Sequence, residues 1–453
     1  MTINDDKNDK KPKPAEIINL EQNPRIIKIE EPDSPVSLNQ WQAIIKDNFP
    51  DLAFAAEISL SIIAQILIKD VTNPFALVLV DVPSAGKTIA INFFAEIAGL
   101  TYATDKFTPA SFVSNAANVK KEKLKEIDML PRVQYKLLLI RDLATLFSKR
   151  DDDLSECLGI LTRILDGEGF SSDSGIHGQR QYVGEYLFML LAASTPIPPR
   201  VWKMMGNLGS RLFFLNINSK DKTEIELAKQ LGSTAYKTKE TVCKVATREL
   251  LETLWSTYPE GVEWDNTVDE IHKLNIAKCA MLLARLRGVL NAWVEKGEDG
   301  KEYNHTMPVI EKPDRINQLF YNLCRGHALI AGRTSLSNED VRLAVEIAVD
   351  SAPTQRTKLF RKLLELDGKI CTTEVEAALN CSKPTALKEM EILKILGICT
   401  IEEDSQGLVG GTEKILYLDN TFDWFLSDEC KAIRGIKTDT TDKVNPTLWE
   451  DNP

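Results

Sequence analysis

The chain has little histidine and no paired-cysteine motif: 453 residues include four histidines, and the eight cysteines show no CxxC spacing. A structural zinc site gathers four N/S ligands at short spacing, and disulfide frameworks suit small secreted chains, so neither device is expected to organise this protein. A basic excess is missing too. The net charge of -11 excludes a general polyanion-binding coat and confines any nucleic-acid contact to a local patch or a channel. The N-terminus, MTINDDKNDKKPKP, lacks the apolar core of a secretion signal, and no apolar run approaches the length needed to cross a bilayer. The expectation is a cytoplasmic protein with no membrane partner. A hydrophobic content of 43% and a charged content of 27% are ordinary for globular domains, and the length allows two or three of them.

What is present is sharper. From Phe75 to Thr88 the chain reads FALVLVDVPSAGKT, and the amphipathic run IAINFFAEIAGL follows. A buried-strand run, a tight turn and a helix start put backbone N–H groups and a helix N-terminus on one anion, the arrangement of a phosphate-binding loop. Pro83, Ser84, Ala85, Gly86, Lys87 and Thr88 are the candidate nucleotide-binding residues, with Lys87 reaching the outer phosphates and Thr88 holding Mg²⁺. The first glycine of the GxxxxGK[ST] pattern is replaced by Asp81, whose carboxylate suits such a site only if it points away from the phosphates.

Around this loop the chain divides by composition. Residues 1–36 mix Lys, Asp, Glu and Pro and are expected to form a flexible tail. Residues 37–70 hold two helical stretches, broken at Pro50 and Asp51, that would flank the nucleotide base. Within 71–220, the apolar runs KLLLI (136–140), YLFMLLAA (186–193) and LFFLNI (212–217) alternate with helical patterns, which predicts an α/β fold with a parallel sheet core. Residues 221–352 read as a helical lid, interrupted by the turn-rich KGEDGKEYNHTMP. Residues 353–430 run helix, helix, turn, helix and two strand-like segments around SQGLVGGTEK, the order of a winged helix-turn-helix, and 431–453 read as a tail. In this domain Ser382 and Pro384 suit a helix start. Lys383, Thr385 and Lys388 would lie on the exposed face of the helix that follows, able to reach phosphates and base edges of DNA. The other use of such a domain is protein contact.

A phosphate loop also needs an acidic side chain at a neighbouring strand end to hold the metal. Asp142, after KLLLIR, is the candidate, but no glutamate follows it in Arg141-Asp142-Leu143. Asp166 or Glu168 could supply the missing base, or Asp142 could itself be the base with Arg141 in the metal carboxylate's place. The run AAST ends another strand, and Thr195, with Ser194 as runner-up, could touch both terminal phosphate and attacking water. Arg211, just ahead of LFFLNI, would reach a neighbouring subunit's nucleotide in a ring, or else form a surface salt bridge.

Taken together, residues 71 to 350 resemble the AAA+ ATPases, and most closely the minichromosome-maintenance-like helicases. The segment PDRINQLFYNLCRGHALIAGRTSLSNEDVRLAVEIA is similar to that family's sensor-2 helix and its successor, which places Arg315 at the sensor-2 arginine and keeps His327-Ala328. DGEGFSSDSGIHGQRQYVGEYLFMLLAAST is similar to the family's channel hairpin, with Asp173 standing where the family has a DNA-gripping lysine. Arg180 and His177 are candidate substitutes, and Lys120, Lys121, Lys123 and Lys125 form either a channel lining or a solvated helix face. The resemblance implies ATP and Mg²⁺ as cofactors, a homo-oligomeric ring, DNA as partner, and catalytic roles for Asp142, Thr195, Arg211 and Arg315. The implied activity is that of a DNA motor of a mobile or viral element. The alternatives are an ATP-dependent DNA-binding initiator or switch with slow or no hydrolysis, and a nucleotide-dependent scaffold.

Overall fold

The computed structural model describes residues 16–17, 24–105, 108–114, 119–175, 177–209, 211–219, 221–231, 235–297, 300–404 and 413–436. Two compact units emerge, one made of residues 1–291 and 306–354, the other of 292–305 and 355–453.

The first unit is built on a five-stranded parallel sheet. Its strands are β1 (Ala76–Val80), β2 (Thr101–Thr104), β3 (Leu137–Ile140), β6 (Met189–Ser194) and β7 (Leu212–Asn216), in the order β2-β3-β6-β1-β7. Every residue of β1, β3 and β6 is buried, as expected of parallel strands covered on both faces. Between β3 and β6 lie the helix α4 (Asp151–Ile164) and the antiparallel hairpin of β4 (Gly169–Ser174) and β5 (Gly178–Val183). Ahead of the sheet, α1 (Leu38–Asn48) opens on a Ser37 capping box, and α2 (Ala53–Ala64) follows a short turn at Pro50. α3 (Lys87–Asn92) follows β1. The helical part comprises Glu224–Gln230, α5 (Ala235–Thr257), α6 (Glu270–Leu286), α7 (Asp314–Ile330) and α8 (Asn338–Asp350).

Three expectations change. The segment Pro50–Leu67 is long and apolar enough to cross a membrane, yet 72% of it is buried inside the fold, because α2 packs along α7. Secondly, residues 24–36 are not loose. The Arg25 guanidinium donates to the carbonyls of Ile66, Ile68, Lys69 and Val71 and pairs with Glu185 at 3.1 Å, collecting carbonyls at and just beyond the end of the α2 segment, where helical partners run out. Residues 16–17 pair in parallel with Arg180 and Gln181 of β5. The remaining tail residues 1–15 and 18–23 lie outside the described residues. Finally, the segment read as a turn after α6 is a hairpin of β8 (Ala292–Gly297) and β9 (Gly300–His305).

In the second unit the order is α9 (Thr354–Glu365), β10 (Lys369–Cys371), α10 (Thr372–Leu379), α11 (Lys383–Ile395), β11 (Cys399–Asp404) and β12 (Glu413–Leu418), with an antiparallel sheet in the order β10-β12-β11. Most of SQGLVGGTEK lies outside the described residues, as do residues 437–453 of the expected C-terminal tail. A helix at Asp428–Ile433 runs past the expected domain end at 430.

Candidate active site

The carboxyl ends of β1, β3 and β6 converge on the turn between β1 and α3. Ser84 and Gly86 take φ of 68° and 87°, left-handed backbone that alternates with ordinary residues and folds the loop into a concave nest of N–H groups. Lys87, the first residue of α3, is buried, and its ammonium donates to the carbonyls of Asp81 at 2.8 Å and Val82 at 2.6 Å. Burial lowers its pKa, while the charges of Asp81 and Asp142 pull the other way. Both carboxylates are thus electrostatic neighbours of the loop lysine. The Asp81 carboxylate turns off the loop to Ser219, past the end of β7, and Thr88 is exposed. Against the other flank, the Leu52 side chain lies within 3.3 Å of the place a Cβ on Gly86 would occupy, so the turn between α1 and α2 walls the loop. Phe49 from the same turn packs against Phe93 at a tilt and meets Tyr236 edge-on.

At the end of β3, Asp142 is exposed and its Oδ1 accepts the N–H of Ala144 at 2.7 Å. Arg141 pairs with Asp105 at 2.8 Å and donates to Asn92 at 3.3 Å. Ser194 ends β6 directly opposite Val80. Its hydroxyl is buried and has no hydrogen-bond partner among the described residues, while Thr195 next to it is half-buried. An orphaned buried hydroxyl costs stability unless a group outside the chain satisfies it. Lys87 held by carbonyls of its own loop, the N–H nest, the Asp142 carboxylate and this hydroxyl together fit a Mg²⁺-bound triphosphate.

Arg211 and Arg315 do not join this site within the chain. Leu212 pairs with Ala76, the first residue of β1, so Arg211 sits at the opposite edge of the sheet from the loop, roughly 16 Å away for a five-residue strand. There Arg211 pairs with Asp166 at 3.2 Å, and Arg315, in the first turn of α7, approaches the same carboxylate oxygen at 3.6 Å. Asp166 also holds Arg163 at 3.3 Å, and Glu168 holds Arg163 at 3.1 Å. Gly167 lies against Thr72 and Pro74, ahead of β1. Neither Asp166 nor Glu168 can therefore serve as base beside Lys87, which removes one of the two alternatives for that role.

No protein-family model and no curated protein matches the chain. Among solved structures it is similar to a protein described as a candidate ATPase from Cytophaga hutchinsonii (13% identity, 69% of this chain and 86% of that one, TM-score 0.34). It is also similar to the apo C-terminal region of NrS-1 (10%, 88% and 79%, TM-score 0.30) and to SCCmec type IV Cch, described as an active helicase (12%, 89% and 72%, TM-score 0.37). Likeness this distant leaves site and function to the residues themselves.

The DNA-contact candidates separate. Arg180 is fully buried; its guanidinium grips Asp128 at 2.5 Å and also donates to the Ser114 carbonyl, with the Tyr182 hydroxyl on the same carboxylate at 2.6 Å. A sequestered guanidinium cannot contact a polynucleotide, so the expectation for Arg180 is corrected: it fastens the hairpin to the core. Asp173 is exposed on β4 and His177 half-buried near the hairpin tip. Lys120 and Lys123 are exposed and Lys125 half-buried, around the helix Lys121–Ile127, whose Leu124 is buried; the Lys121 side chain lies outside the described set. In the second unit, Lys383 and Lys388 are exposed and Thr385 half-buried near Ser382 Oγ at 3.2 Å. Sequence reasoning missed Ser219 and Asp128, ordinary polar residues whose partners lie 138 and 52 positions away; only three-dimensional proximity marks them.

Proposed function

We propose that this chain is an ATPase of the AAA+ kind, organised like the minichromosome-maintenance helicases, that binds Mg-ATP between Lys87, Thr88 and Asp142 and acts on DNA as a ring. The observation that carries it is the split between two half-sites. The triphosphate side, with Lys87, Asp142 and the free Ser194 hydroxyl, lies at the carboxyl edge of the sheet, while Arg211 and Arg315 lie at the amino edge, where they can complete only another copy's site. A trans-acting arginine is worth about 10³ to 10⁵ in rate in phosphoryl transfer. Ser194 or Thr195 would orient terminal phosphate and water. The order α9, β10, α10, α11, β11, β12 supports a winged helix whose α11 presents Lys383 and Lys388 to DNA phosphates. A cytosolic setting, and replication of a mobile or viral element, belong to the same reading.

The second reading, a slow ATP-dependent initiator or switch, is favoured by one feature: no carboxylate follows Asp142, and Asp166 and Glu168 are engaged elsewhere. Measuring ATP turnover of the full chain with and without DNA, alongside native mass with and without ATP, tests both. DNA-stimulated turnover in an ATP-dependent oligomer supports the motor. Tight ATP-dependent DNA binding without turnover supports the switch, and failure to retain any triphosphate with Mg²⁺ removes both.

A further inference from the structure

One carboxylate gathers the guanidiniums that this reading sends to a neighbour. Asp166 follows the end of α4. Its Oδ1 receives Arg211 Nε and Nη2, each at 3.2 Å, and Arg315 Nη2 at 3.6 Å, while its Oδ2 receives Arg163 at 3.3 Å. The three arginines come from α4, from the approach to β7 and from the first turn of α7. Their exposure is graded. The Arg211 side chain is 12% exposed and is fixed further by the Gly209 carbonyl, whereas Arg315 is 48% exposed. The guanidinium fork is rigid and permanently charged, so the Asp166 carboxylate fixes Arg211 and keeps Arg315 beside it. Arg163 is shared with Glu168, which leaves three cations facing two carboxylates, and this surplus suits an incoming polyphosphate.

We propose that Asp166 is the positioning residue that mounts Arg211 and Arg315 as one unit toward the nucleotide of a neighbouring copy. The inference rests on the ATPase reading above. Arg211 is the anchored member and Arg315, with the longer contact and the freer side chain, the one that turns outward to the anion. Asp166 touches no substrate and acts through the two arginines.

The test uses full-length chains. Asp166→Ala should lower kcat roughly a hundredfold, the effect expected when a reacting group is misplaced by about an ångström, while KM for ATP and binding of a fluorescent ATP analogue stay within about twofold. Mixing Asp166→Ala with Lys87→Ala should restore turnover, because the Lys87→Ala copy lends its intact arginine mount to its partner's intact loop. A base acting on its own copy's nucleotide would give a silent mixture. An Arg211→Ala with Lys87→Ala mixture is the control. If that control revives and the Asp166 mixture does not, or if Asp166→Ala turns over normally, the mount is overturned. Silence in the control removes the trans reading itself and the mount with it. Should Asp166→Ala melt early, Asp166→Asn, which keeps an acceptor oxygen, takes its place in the same mixtures.

Discussion

The Asp81 carboxylate accepts both the N–H and the hydroxyl of Ser219, at 3.0 and 2.9 Å. An acidic residue thus takes the place of the loop's first glycine without facing the phosphates, and it ties the loop to the chain leaving β7. Its other oxygen accepts the N–H of Val82 at 2.7 Å. The charge still acts on Lys87.

Asp81→Asn removes that charge and keeps an acceptor, so ATP affinity should rise about fivefold, the equivalent of ~1 kcal/mol for one screened like-charge contact. Asp81→Ala removes the tie as well and should bind more weakly than Asp81→Asn. Equilibrium titration with a fluorescent analogue checks the order, and equal affinity in all three proteins would mean the charge is invisible to the nucleotide.

His327 Nδ1 lies 2.5 Å from Asp340 and Nε2 lies 2.9 Å from Glu57, joining α7 to α8 and α2. Burial by itself would lower the imidazole pKa, but the two hydrogen-bonded carboxylates outweigh it and hold it at about 9. Asp340 is held low because the His327 and Arg333 hydrogen bonds overcome its own burial. A raised folded-state pKa means that the stabilisation is complete below the unfolded value of 6.5 and is lost as pH climbs through 9. The loss is on the order of 3 kcal/mol. Urea midpoints should fall across that window, and His327→Gln should be less stable at neutral pH and lack the alkaline decline.

A methyl group on Gly326 would stand 2.1 Å from the Ser61 carbonyl oxygen and 3.0 Å from Gln65 Cγ. α7 and α2 meet backbone to backbone here, so Gly326→Ala must push the helices apart. The expected cost is about 1–3 kcal/mol, read by chemical denaturation, and an unchanged midpoint would show that the helices separate without penalty.

Much of this was legible from local pattern. Four of the five strands of the sheet announce themselves as apolar runs, since parallel strands covered on both faces tolerate little else, whereas the edge strand β2, TYAT and half-buried, carries no such signal. FALVLVDVPSAGKT carries its strand, turn and helix start within 14 residues of sequence. What escaped is long-range. GQRQYV displays Arg180 as if for solvent, and nothing local reveals that Asp128, on another element, swallows its charge. Arg25 binds mainly main-chain carbonyls, with Glu185 and the Tyr135 ring beside them, so its anchorage leaves no side-chain pattern in a Lys- and Asp-rich tail. Trp293 and Val294 in β8 lead straight into KGEDGK, whose turn composition masks strand pairing. The meeting of Asp166, Arg211 and Arg315 likewise required the fold.

In the second unit, the charges on α11 sort by direction. Glu389 is buried, and desolvation raises its pKa against the pull of Arg356 and Lys388, so it subtracts little negative charge from the outer face. Glu391 is held by Lys394 at 3.0 Å. Lys383 and Lys388 are left exposed near the N-terminal half of the helix. Each phosphate that a lysine neutralises releases counterions, contributing about 0.9 to the slope of log affinity against log salt on duplex DNA. Replacing both with alanine should therefore flatten that slope by roughly 1.8, measured by fluorescence anisotropy on a labelled duplex, while turnover without DNA stays as in the unmutated chain. A slope that does not change would move the DNA contact off α11 and leave this unit to protein partners.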